Sequence, residues 1–269
     1  MRALPQPDGT LRIENPDSDV FYDMGNPCLF VRFSGKGGVM HVLLTEGLHA
    51  GAWDFHLTVN GQTFRFQEGL AIGRLWKLWG RAQDLEVWLE SFIAEGTPHV
   101  FQSLNLISHA RESIDIRLRI QLRFSLPVPW RRRRLSDLVR WLPYALRRAH
   151  MWSEGWAKLL LPPTPRRVEL LSGGLIRADG DLTLHWIPDM PPHMSSIRGK
   201  DVNLQWDLRV SPGEALQVRW ALMGESADEP WSNMEAARES AARYAEWLSQ
   251  AYRAGDPTLQ SLFVAGLNA

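Results

Sequence analysis

The sequence predicts a mainly β protein, a large antiparallel sandwich of two sheets with a helical insertion and C-terminal linker helices. Three observations predict it. Apolar and polar residues alternate with period two through much of the chain. A strong hairpin signal, Asn60-Gly61, joins two of the alternating runs. Several runs exceed the usual strand length of about five or six residues, and nothing in the first 126 residues reads as a helix.

The first hairpin loop is Gly35-Lys36-Gly37-Gly38, between two strand-like runs. It is a turn and not a phosphate cradle, because no GxGxxG or GxxxxGK[ST] motif occurs. Around Asn60-Gly61, a type I′ turn pairs Val59 with Gln62, Leu57 with Phe64 and Phe55 with Phe66. Trp53, Phe55, Leu57, Phe64 and Phe66 then share one face, and Asp54, His56, Thr58, Thr63 and Arg65 the other. Asp84 to Leu89 is a shorter strand. Residues 113–124 are the clearest: Ile114, Ile116, Leu118, Ile120, Leu122 and Phe124 alternate with polar residues. One face of that strand is buried and the other wet.

Prolines at 127, 129, 162, 163 and 165 bracket a different stretch. Leu135, Leu138, Val139, Leu142 and Leu146 follow helical spacing, which predicts a helical insertion over about residues 127–165. Strands resume at Leu182 to Ile187, 202–210 and 216–222. From Pro230, Ser232 and Glu235 fit a capping box, with an apolar stripe through Met234, Ala237, Ala241, Tyr244 and Leu248. Gly255 is placed to end that helix. Asp256-Pro257 then starts another, with Leu259, Leu262, Phe263 and Leu267 on one face. The expected division is a sandwich over 1–229 and, over 230–269, a linker helix and the start of a following helical domain. That last apolar face needs cover, from the sandwich or from a second copy in a homo-oligomer.

Composition narrows the function classes. Formal net charge is zero, so no global field draws the chain to nucleic acid, and no nucleic-acid partner is expected. The single cysteine, Cys28, excludes an internal disulfide and reads as a small buried hydrophobe in a strand-like run. No signal segment opens the chain, and no run approaches the ~20 apolar residues of a membrane span. A soluble, cytoplasmic protein is the expectation.

No constellation signals catalysis. There is no GxSxG and no HExxH, and the eight histidines are scattered, so no catalytic residue, metal site or cofactor is assigned. His41 and His56 could lie on neighbouring strands, but a solvated histidine is the commoner use. Paired carboxylates would serve a glycosidase. Asp54, Asp84, Glu86, Glu90, Glu95, Asp189 and Asp207 are available, yet most alternate with apolar residues and read as solvated. Thirteen tryptophans against four tyrosines are the compositional oddity. Sugar rings stack on indole faces, and wide sheets also bury such rings. Trp76, Trp79 and Trp88 are the candidate sugar contacts, since Trp76 and Trp79 depart from clean alternation and would project at a rim. Arg131, Arg132, Arg133 and Arg134 form a basic run, read either as an interaction patch or as the charged edge of the insertion helix.

Strand-rich domain, linker helix over Ser232 to Ala254, and the opening Gly255-Asp256-Pro257-Thr258-Leu259-Gln260-Ser261-Leu262 together resemble one family. It is that of bacterial glycoside hydrolases with an (α/α)6 catalytic barrel, of the glucoamylase and amylo-α-1,6-glucosidase (glycogen-debranching-like) type. The resemblance implies an N-terminal β supersandwich that supports a barrel following in the chain. It implies hydrolysis of α-glucans or oligosaccharides, with both catalytic carboxylates on the barrel and none on these residues. The Arg-rich insertion is not part of that family's pattern. A self-standing carbohydrate-binding module, or a non-enzymatic protein that interacts through the Arg-rich helix, are the alternative expectations.

Overall fold

The computed structural model describes residues 2–6, 10–17, 20–44, 48–124, 167–179, 183–224 and 229–252. The expected helical insertion, the Arg131–Arg134 run, Gly255 and the Asp256-Pro257 helix lie outside the described residues.

Two antiparallel sheets form a sandwich. In chain order the strands are β1 (Arg2–Pro5), β2 (Leu11–Glu14), β3 (Phe21–Asn26), β4 (Leu29–Ser34), β5 (Val39–Leu44) and β6 (Leu48–Val59). Next come β7 (Gln62–Thr63), β8 (Glu68–Ile72), β9 (Leu75–Ala82), β10 (Leu85–Ile93), β11 (Val100–Ser108) and β12 (Ile114–Phe124). The last are β13 (Arg167–Leu170), β14 (Ile176–Asp179), β15 (Thr183–Pro188), β16 (Met194–Arg198), β17 (Asp201–Val210) and β18 (Ala215–Gly224). Sheet A runs β1-β2-β8-β9-β10-β11-β18-β15-β14-β13, and sheet B runs β16-β17-β12-β6-β5-β4-β3, with β7 paired to β6. Each sheet therefore contains a sequential meander, β3 to β6 in one and β8 to β11 in the other. Strands β12 and β18 each join the meander of one sheet to strands from the end of the chain.

Strict alternation fills the space between the sheets. Along β12, Ile114, Ile116, Leu118, Ile120, Leu122 and Phe124 are all buried while the residues between them are exposed. The Asn60-Gly61 turn has both residues at positive φ, 46° and 78°, as a type I′ turn demands. It pairs Val59 with Gln62, and the Phe64 N–H donates to the Leu57 carbonyl. Phe55 and Phe66 then meet with ring centroids 5.9 Å apart. Five tryptophans (53, 76, 186, 206 and 220) are buried in this core.

One polar side chain ties the layers together. Gln102 of β11 is fully buried. Its Oε1 accepts from the indole N–H groups of Trp53, 2.7 Å, on sheet B and Trp220, 3.0 Å, on sheet A. Its Nε2 donates to the Gly37 carbonyl and the Ser91 hydroxyl. All four capacities of the amide are met, as burial requires.

The helix α1 (Pro230–Tyr252) lies on the outer face of sheet A. It begins two residues before the expected cap, so Ser232 sits inside its first turn with Pro230 as first residue. Met234, Ala237 and Ala241 cover Phe92, Phe101, Ala221 and Met223. Cys28 also departs from expectation. It occupies the turn between β3 and β4, half-buried, with its thiol 3.0 Å from the Gly96 carbonyl. Among the described residues no helix is long and apolar enough to cross a membrane.

Candidate functional site

The site is built on the outer face of sheet A, beside the strip covered by α1. In β9 alternation sends Trp76 and Leu78 inward and Lys77 and Trp79 outward. In β10 it sends Leu85, Val87 and Leu89 inward and leaves Glu86 and Trp88 half-buried on the outer face. Register does the rest. Trp88 stands opposite Trp79 on one side and Asn105 on the other, and Asn105 stands opposite Gln217. Four strands thus place two aromatic rings and two amides in one row.

The two rings are 5.9 Å apart at their centroids and inclined by 52°. Glu86 fixes both. Its Oε1 accepts from Trp88 Nε1 at 2.7 Å and Trp79 Nε1 at 3.0 Å. Its Oε2 lies 3.4 Å from His109 Nε2. The two indole N–H groups hold the Glu86 carboxyl below the usual carboxylate range, with a further contribution from His109 and against the opposing effect of burial. Beside the rings, Gln217 Nε2 donates to Asn105 Oδ1 at 2.9 Å and Ser103 Oγ at 3.1 Å. With their N–H edges already bonded, the rings have only their faces left to offer a ligand. The faces can stack on the apolar side of a pyranose, and the amides can bond its hydroxyls.

Of the three expected sugar contacts, the structure brings Trp79 and Trp88 together and removes Trp76. Trp76 is fully buried and stacks on Tyr22 with centroids 5.5 Å apart. Its ring lies over Gly69, where a Cβ would come within 2.5 Å of it. The alternation of β9 is regular after all; what obscured it is that large apolar residues occupy both faces. Glu86, His109, Asn105 and Gln217 were not singled out as partners, because register between strands has no local sequence signal.

The carboxylates also sort themselves. Glu90 is buried, not solvated, and bonds Lys77 at 2.7 Å and Arg238 of α1 at 3.0 Å. The two carboxylates of this face have separate partners, Glu86 the indoles and His109, Glu90 the cations of Lys77 and Arg238. Among the described residues no group of three His, Cys, Asp or Glu is placed to hold a metal. A groove of about 700 Å³ lies elsewhere, on the outer face of sheet B. A stacking platform needs a flat ring and not a cavity, so the two features are separate.

No family model and no curated protein matches the chain. Solved structures do. A provisionally named kojibiose phosphorylase from the human microbiome aligns over 97% of this chain with a TM-score of 0.50 and 6% identity. A galactose mutarotase related enzyme from Lactobacillus acidophilus aligns over 78% of this chain and 99% of its own, with a TM-score of 0.47 and 7% identity. A provisionally named aldose 1-epimerase from Escherichia coli K12 aligns over 77% of this chain and 99% of its own, with a TM-score of 0.45 and 10% identity. The chain spans 37% of the kojibiose phosphorylase. At 6% identity what the two share is the fold, a two-sheet antiparallel β-sandwich.

Proposed function

We propose that this chain is a non-catalytic β-sandwich domain of a carbohydrate-active protein, and that it contacts α-glucan or oligosaccharide through Trp79 and Trp88. The observation that carries the reading is the row Trp79–Trp88–Asn105–Gln217 on one outer sheet face, with Glu86 locking both indoles edge-on. Rings held in one orientation lose little entropy on stacking, which makes a weak sugar contact worthwhile. Support comes also from the fold, shared along nearly the whole chain with a kojibiose phosphorylase that is much longer. In this reading the sandwich serves a catalytic (α/α)6 barrel carried by the remainder of a longer protein, one that cleaves α-glucans or oligosaccharides in the manner of glycogen-debranching enzymes.

The platform is tested by titrating maltooligosaccharides and kojibiose while following tryptophan emission. A saturable change is expected, and Trp88→Ala should abolish it while the fold, checked by circular dichroism, persists. Unchanged emission across these sugars at millimolar concentration removes the platform. The barrel is tested in the natural gene: a stop codon directly after Ala269 removes that part of the proposal.

A further inference from the structure

We propose that the outer face of sheet B carries a separate small-molecule site, for a sugar that bears a phosphate or carboxylate group. The proposal does not rest on the tryptophan platform, which belongs to the other sheet.

The groove there has a floor and two walls. Strands β6, β12 and β17 are neighbours and form the floor; Gly61 and Thr63 of the hairpin form one wall, and Met194 to Ser196 of β16 the other. Its volume, about 700 Å³, suits a mono- or disaccharide and is small for a protein segment or a duplex. Because the floor strands alternate, the outward floor residues that line the groove are all polar: His56, Thr58, Arg117, Arg119, Gln121, Asn203 and Gln205. Register sets His56, Arg119 and Gln205 abreast in the centre.

Two guanidinium groups enter the groove, and they differ. Arg117 is committed: its Nε donates to Asp207 at 2.6 Å, and Asp207 also accepts from Gln205 at 2.9 Å. These bonds keep Asp207 ionised, so that pair is neutral overall. Arg119 instead donates through Nε to the Gln205 amide oxygen at 2.7 Å. Gln205 is neutral, and among the described residues no carboxylate pairs with Arg119. Asp54 stands one row away, opposite Gln121. Arg119 is therefore oriented by a bond to a neutral group, and among the described residues its two terminal nitrogens have no partner. A planar fork of that kind matches two oxygens of a phosphate or carboxylate. His56 beside it can add a further donor. Gln121, Asn203 and Ser196 continue the floor and wall with neutral donors and acceptors, the groups that read sugar hydroxyls.

The test uses the whole chain and four probes: glucose 6-phosphate, glucuronate, glucose and inorganic phosphate. Binding is measured by calorimetry and by the NMR signals of the arginine Nε–H groups. Glucose 6-phosphate or glucuronate should bind and shift the Arg119 signal, and which one binds more tightly distinguishes phosphate from carboxylate. Arg119→Gln should weaken binding roughly tenfold or more. Arg123→Gln, whose partner Asp201 lies outside the groove, should leave it within about twofold, as expected for a distant exposed charge. The proposal is overturned if neither anionic sugar binds at millimolar concentration, if glucose binds as tightly as they do, or if inorganic phosphate alone matches them. Equal weakening by both substitutions would also overturn it, since that is general charge attraction and not a site.

Discussion

Gln102 contributes specificity that an apolar side chain could not, because all four of its hydrogen bonds are made in the buried core. Replacing it with leucine keeps much of the volume but strands two indole N–H groups, the Gly37 carbonyl and the Ser91 hydroxyl. An orphaned buried polar group costs about 1–3 kcal/mol, and neighbours can relax toward some of the four. Gln102→Leu is expected to lose about 3–5 kcal/mol of stability, read by urea denaturation at neutral pH. Glu86 gives a pH signature. Its folded-state pKa lies below the unfolded one, so its contribution is fully present above the ordinary glutamate value of about 4.3. That contribution is lost as pH falls through the lower folded value, when the carboxylate takes a proton and binds the indoles less strongly. Emission from Trp79 and Trp88 should hold steady from neutrality to about pH 5 and change only below the normal glutamate range. In Glu86→Gln that acid step should be missing. At this scale the sequence was partly legible. Trp76, Trp79 and Trp88 stood out as candidate contacts, but the carboxylate that two of them share did not, since Trp79 and Glu86 come from different strands. Glu90 misled for the same reason: its cations, Lys77 and Arg238, lie on β9 and α1.

Among the elements, α1 shows how a helix is seated on a sheet. Its small residues Ala237 and Ala241 let it approach closely over Phe92 and Phe101, and Arg219 stacks on Trp231 with the guanidinium carbon 4.9 Å from the ring centroid. The helix also comes close at the β8–β9 turn. Gly73 has a φ of 54°, and a Cβ there would fall 2.8 Å from Tyr244 and 2.9 Å from Leu248. Glycine is needed twice over, for the left-handed backbone and for the space. Gly73→Ala should cost about 1–2 kcal/mol from the backbone alone. Hydrogen exchange should accelerate in α1 and the β8–β9 turn and stay unchanged in β12, which lies in the other sheet. Acceleration spread evenly through both sheets would contradict this seating. The apolar stripe of α1 was legible from its spacing, whereas its start was displaced because Pro230 supplies a first residue that the Ser232 pattern masked.

For the whole molecule, the sequence by itself determined the class of the fold and the inner face of most strands. Burial with period two is a local property, and the alternation of β12, β17 and β18 specified which residues face the core without reference to any neighbour. The Asn60-Gly61 pair did the same for one hairpin, since two positive φ angles need those residue types. Which strands become neighbours was decided only in three dimensions. β12 pairs with β6 and β17, and β18 lies between β11 and β15, across separations that no local pattern encodes. Backbone pairing is nearly indifferent to side chains, so the choice comes from the summed packing of the two inner faces and from cross-layer bonds such as those of Gln102. Both outer-face features follow from that choice. The sequence marked Trp79 and Trp88 as candidate contacts and put Arg119 on the wet face of a strand; tertiary structure alone put two tryptophans around one carboxylate, and beside a histidine in a groove one guanidinium with no carboxylate partner among the described residues.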